Sequence, residues 1–143
     1  MSEIKRRVVV TGLGAVTPIG IGLEAFSEGL KKGICGAGPI SVFDTAGFPF
    51  KTAHEVKGFD PRERSTQAMD PFIQYAVAAA AQAVEDAQLD FSRLDPYRIG
   101  LSVSSSKGGV HTLDRFKDRF QKNPSAILGA RIYTNAVPNF AAQ

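Results

Sequence analysis

The chain is poor in the residues that usually advertise a chemistry. Cys35 is the single cysteine among 143 residues, which excludes an intrachain disulfide framework and suits a reducing compartment. There are two histidines, His54 and His111. Three possible ligands scattered so widely do not resemble a metal site. No apolar run is long enough to span a membrane. The start, Met-Ser-Glu-Ile-Lys, is charged where a signal peptide would be apolar, so the expected location is the cytoplasm. A net charge of +3 is too small and too scattered to argue for nucleic acid, although it permits an acidic partner. Internal repeats and low-complexity segments are missing too. The length and the 43% apolar, 22% charged composition fit one globular domain, or part of one.

The most informative stretch is residues 6–22, R-R-V-V-V-T-G-L-G-A-V-T-P-I-G-I-G. Val8, Val9 and Val10 read as a continuous apolar strand, of the kind buried on both faces in a mostly parallel sheet. Gly12-Leu13-Gly14 is also how a dinucleotide-binding turn begins. The match fails at Thr17, where the third glycine should stand. It fails again at Pro18, which would disrupt a helix already under way. The short-chain-dehydrogenase spelling has Thr11 and Gly12, but Gly20 and Gly22 come too late for it.

A short helix is expected over residues 23–30, with Leu23, Phe26, Ser27 and Leu30 on one face and Gly33 as its stop. Residues 33–58 read as a long, partly ordered loop, with Phe43, Phe48, Phe50 and Phe59 as anchors. Asp70 caps and Pro71 opens a helix running to about Gln88. Its alanine-rich body is apolar almost all round, which predicts burial between layers and close approach of neighbouring backbones. Residues 98–104 read as a second strand, followed by a Ser-Ser-Ser-Lys-Gly-Gly turn. A surface helix then starts near Val110, with Val110, Leu113 and Phe116 inward, and Asn123-Pro124 stops it. Residues 125–143 form a mixed apolar tail that ends without a cap, as though cut mid-element. Strand, helix, buried helix, strand, helix is an α/β order.

Few residues are placed for chemistry. Cys35 sits in a glycine-rich loop with only Lys31 and Lys32 to lower its pKa, and no motif aligns it with His54 or His111. The turn at residues 104–109 follows a strand and opens a helix, so its N–H groups could bind an anion. It lacks the phosphate-loop pattern, with Lys107 before the glycines rather than after them. The alternative is a tight loop in which glycines relieve crowding. Lys57, Arg62 and Arg64 form a small basic group before the alanine-rich helix, usually a solvated face.

Taken in order, these stretches resemble the β-ketoacyl-[acyl-carrier-protein] synthases, nearest to the type II elongating enzymes. The resemblance rests on the opening, on V-x-G-F-D-P at residues 56–61, on M-D-P-F-I-Q-Y-A at 69–76 and on R-I-G-L-S-V-S-S-S-K-G-G at 98–109. V-P-N-F-A-A at 137–142 is similar to the family's I-P-N-M-A-A helix. The resemblance implies a thiolase-like (αβαβα layered) fold, here an incomplete N-terminal half, with residues 1–143 ending before the nucleophile. It implies decarboxylative Claisen condensation of an acyl thioester with malonyl-carrier, in fatty-acid or polyketide synthesis. That reaction uses a cysteine nucleophile, two histidines and an oxyanion hole of backbone amides, with no cofactor and no metal. None of the catalytic residues falls within this chain, so the piece alone is expected to be inactive.

Two functions carry over by position. Lys107, Gly108 and Gly109 fall where the family lines its acyl pocket, with Lys107 in place of a commonly apolar gate residue. A lysine facing an aliphatic tunnel is costly unless paired or turned to solvent. Arg62 and Arg64 fall where the family meets the acidic acyl carrier protein, while Gln67 and Ala68 replace further basic residues. The implied partners are acyl carrier protein and, in the full-length protein, a second copy in a homodimer. A different reading keeps the fold and drops the catalysis: a synthase-like partner that sets chain length beside an active subunit.

Overall fold

A computed structural model of the protein describes residues 7–61, 67–125 and 130–136. Three consecutive β-branched residues favour extended backbone, yet Val8, Val9 and Val10 pair with no strand among the described residues. They are 94%, 67% and 77% exposed. The expectation of a strand buried on both faces is therefore corrected. A ladder needs neighbours for its N–H and C=O groups, and the described residues bring none to this edge. The same correction applies to residues 98–104. Pro96–Arg98 forms a single 3-10 turn capped by Asp95, whose carboxylate accepts from Tyr97 N at 3.0 Å. The chain beyond it is unladdered, and Ile99 and Leu101 are exposed.

After Ala15 the chain makes a tight hairpin, with β1 (Val16–Thr17) antiparallel to β2 (Gly20–Ile21). Pro18 and Ile19 form its turn. The Thr17 hydroxyl donates to Gly20 O at 2.9 Å and accepts from Ile19 N at 3.3 Å. A proline without an N–H is well suited to this turn and would not suit the helix that a nucleotide site requires. Helix α1 (Leu23–Lys31) follows, with Glu24 in its first turn and Lys31 in its last, both signs favourable to the helix dipole. Leu23, Phe26 and Ser27 are half-buried as expected, but Leu30 is exposed.

The expected loop at 33–58 holds a second hairpin. β3 (Ala37–Pro39) pairs antiparallel with β4 (Thr52–His54), setting Ala37 opposite His54 and Pro39 opposite Thr52. Glu55 closes it: Oε1 accepts from Ser41 N at 2.9 Å and Oε2 from the Ser41 hydroxyl at 2.6 Å. Phe43 and Phe48 meet edge to face at 5.6 Å, and Phe59 meets Tyr75 at 4.9 Å. Of the four expected anchors only Phe59 is half-buried; Phe43, Phe48 and Phe50 are exposed.

Helix α2 (Pro71–Asp86) forms as its cap and proline predict, and it organises the rest. Its alanines receive the opening segment at very short range. A Cβ added to Gly12 would lie 2.6 Å from Ala87 Cβ. One added to Gly14 would lie 2.9 Å from Gln82 Cβ and from the Ala79 carbonyl carbon. Side chains one turn apart on the helix then hold the same segment: Leu13 N donates to Asp86 Oδ2 and Ala15 N to Gln82 Oε1, both at 2.9 Å. The two glycines are therefore filled by a helix and leave no space for a pyrophosphate. Burial of α2 all round is corrected, because Ile73 alone among its residues is fully buried and Ala80 and Ala81 are exposed.

Helix α3 (Val110–Lys122) ends at Asn123 as expected, and α4 (Ala130–Ala136) follows. Of the side chains expected to face inward on α3, Phe116 is half-buried, while Val110 and Leu113 are 56% and 50% exposed.

Candidate functional site

The turn before α3 is built on one buried carboxylate. Asp70 is 4% exposed. Its backbone is extended, as an N-cap requires, and its Oδ1 accepts from Phe72 N at 3.4 Å. Its Oδ2 accepts from Thr112 N at 2.8 Å, across 42 residues of sequence. Thr112 lies in the first turn of α3, where N–H groups lack intrahelical partners. One carboxylate thus caps two helices. At the start of α3 the Thr112 amide is thus satisfied by a carboxylate of the protein itself.

Lys107, Gly108 and Gly109 stand beside this junction. Gly108 lies against the Phe72 ring, and a Cβ added to it would come within 3.0 Å of three ring atoms. Gly109 is buried, with φ at +83°, and serves as the N-cap position of α3. A side chain there would run into the backbone of Ala136 on α4 as well as straining φ. Lys107 is exposed and has no ion pair among the described residues, so its charge is turned to solvent.

Arg62 and Arg64 lie outside the described residues. The segment just after them is firmly held: Gln74 Nε2 donates to Met69 O at 2.9 Å, and Asn135 Nδ2 donates to Ala68 O at 3.4 Å. Residues 67–70 therefore touch α2, α3 and α4 at once.

On another face of α2 a cleft of about 480 Å³ is lined in part by Phe59, Asp60, Gln74, Val77, Ala81 and Glu85. None of its lining residues is a cysteine, histidine or lysine, and none is Lys107, Gly108 or Gly109. Its glutamines are committed, Gln74 to Met69 and Gln82 to Ala15. Above it, burial first and the Glu55 charge second raise the Tyr75 pKa. Hydrogen bonds from the Ser41 hydroxyl and amide hold Glu55 below its ordinary value. Cys35, His54 and His111 are all exposed. Among the described residues no group of three or more histidine, cysteine, aspartate or glutamate side chains could hold a metal. No helix there is long and apolar enough to cross a membrane.

The profile of the beta-ketoacyl synthase N-terminal domain matches residues 5–143. The chain belongs to the β-ketoacyl synthase family. It is 33% identical over 142 residues to 3-oxoacyl-[acyl-carrier-protein] synthase 2 of Coxiella burnetii, covering 96% of this chain and 34% of that protein. The Synechocystis protein of the same description is 40% identical over 114 residues, 77% of this chain and 27% of the relative. The chain thus spans about a third of the length of such synthases. Among solved structures, the ishigamide ketosynthase/chain length factor superposes with a TM-score of 0.71 at 33% identity, covering 95% of this chain and 35% of that one. A type II polyketide ketosynthase, seen in complex with its acyl-carrier protein, gives 0.75 at 25% identity, covering 96% and 34%. The backbone therefore follows the thiolase-like α/β path of the ketosynthases, even where residues 8–10 and 98–104 lack ladder partners.

What sequence reasoning missed at the site is the second partner of Asp70. Met69-Asp70-Pro71 announces a cap for α2, and nothing local announces Thr112.

Proposed function

We propose that residues 1–143 are the N-terminal portion of a β-ketoacyl-[acyl-carrier-protein] synthase. The whole polypeptide would carry out decarboxylative Claisen condensation of an acyl thioester with malonyl-carrier. The observation that carries this reading is the family match over residues 5–143 in a chain a third the length of its relatives. The surface supports it: Val8, Val9 and Val10, 94%, 67% and 77% exposed, are apolar surface that the rest of a larger layered domain would cover. By the position of its motifs in the family, the nucleophile and both histidines of the reaction would lie in the rest of the polypeptide, and Cys35, His54 and His111 are each exposed here. Lys107, Gly108 and Gly109 would border the acyl pocket, and Arg62 and Arg64 would face acyl carrier protein. The whole enzyme would work in the cytoplasm as a homodimer.

Expression of the complete reading frame beside residues 1–143 tests this. The complete product should condense acyl- and malonyl-carrier, and the 1–143 piece should not, with or without Cys35→Ser. Condensation by 1–143, abolished in Cys35→Ser, would sink the reading. The exposed Lys107 favours a second one, a non-catalytic chain-length subunit. That alternative predicts a complete product with no cysteine at the nucleophile position and activity only beside a second subunit.

A further inference from the structure

We propose that Asp70 is the positioning residue that sets the turn at Lys107, Gly108 and Gly109, and with it the acyl-chain selectivity of the pocket that this turn borders. The inference rests on the synthase reading above. Its geometry does not.

Asp70 is the one buried charged side chain among the described residues, and both of its oxygens are engaged, on Phe72 N and Thr112 N. A buried carboxylate is tolerated where hydrogen-bond donors surround it. Here the donors come from two helix N-termini, so the carboxylate fixes the start of α3 relative to the start of α2. The turn between them has no slack. Gly108 is pressed on the Phe72 ring, Gly109 on Ala136, and the Asp70 backbone carbonyl accepts from Ile73 N and Gln74 N at 2.9 and 3.2 Å. A shift of Thr112 away from Asp70 would move Gly109, three residues earlier, and so the Lys107 side of the pocket mouth. The segment carrying Asp70 also follows the proposed carrier-docking residues directly.

Asp70→Ser separates the two roles. A serine still caps α2, but its single short hydroxyl cannot also reach Thr112. Asp70→Asn keeps the length and presents an NH₂ where one of the two amides now finds an acceptor. The control is Ile73→Val, a packing change in the buried side chain of the same helix turn that leaves both carboxylate hydrogen bonds of Asp70 in place.

Two readouts decide. In the complete enzyme, the ratio of kcat/KM for a long over a short acyl thioester should shift by about tenfold or more in Asp70→Ser and Asp70→Asn, as expected for a displaced substrate-positioning element. It should stay within about twofold in Ile73→Val. Hydrogen exchange at Thr112 N should accelerate by about tenfold in the two Asp70 variants, the equivalent of losing a charge-assisted bond, and not in the control. An unchanged selectivity ratio alongside a released Thr112 overturns the proposal. So does an unchanged Thr112. If the wild-type complete protein does not condense, the synthase reading has failed and the selectivity half of the proposal falls with it. Thr112 exchange then decides the Asp70 link alone, and protection surviving in Asp70→Ser refutes it.

Discussion

Two adjacent pieces of the opening segment behave as opposites. Residues 12–15 are clamped on α2: Gly12 and Gly14 admit no Cβ, and the amides of Leu13 and Ala15 are bonded to Asp86 and Gln82. Residues 8–10, just before them, are apolar and exposed. The difference lies in who supplies the neighbour. A helix 60 residues on, within the same chain, covers the glycines; the valines need strands that the described residues do not contain. A segment's own sequence states its conformational preference. Whether that preference is satisfied depends on what arrives beside it.

The contrast can be broken by substitution. Gly14→Ala should cost about 3 kcal/mol, because its Cβ must displace helix backbone; a denaturant titration giving a change under about 1 kcal/mol would show that the clamp is loose. Gln82→Ala should cost about 1.5 kcal/mol by stranding the Ala15 amide, with faster exchange at that amide as the local readout. Val9→Thr should change the stability of residues 1–143 by less than about 0.5 kcal/mol, as at other exposed sites. In the complete polypeptide the same change should cost about 2 kcal/mol, since a covered valine loses its burial. Equal effects in the two would mean that Val9 is never covered.

The smallest effect is a titration in the β3–β4 hairpin. Ser41 holds the Glu55 pKa below its ordinary 4.5, so the folded state favours the carboxylate. The stabilisation is complete above that value and is lost as pH falls through the lowered one. The Ser41 amide shift, followed by NMR, should therefore titrate with a midpoint below 4.5. A midpoint at or above it would mean that the clasp does not form in solution.

Much of the helical framework was legible beforehand because helix ends carry local chemistry. Asp70-Pro71, Gly33 and Asn123-Pro124 each act within one turn, and α1, α2 and α3 start or stop where these residues put them. The hairpin of Ala37–Pro39 with Thr52–His54 was not legible. Ala-Gly-Pro has no apolar alternation and low strand propensity, and its partner lies beyond a loop. At the candidate site Gly108 and Gly109 were visible as a turn. The reason both are glycine, Phe72 on one side and Ala136 on the other, is not contained in any window of the sequence.

By itself, then, the sequence determined the family, the α/β order, the caps and the exclusion of a nucleotide turn by Thr17 and Pro18, since all of these depend on residue identity and short spacing. Only the tertiary structure decided that Gly12 and Gly14 receive a helix, that the valines before them stay uncovered, and that the Asp70 carboxylate holds α3 as well as α2. Those outcomes depend on which distant groups come within hydrogen-bond or van der Waals range, and short-range forces act only after the chain has brought them together.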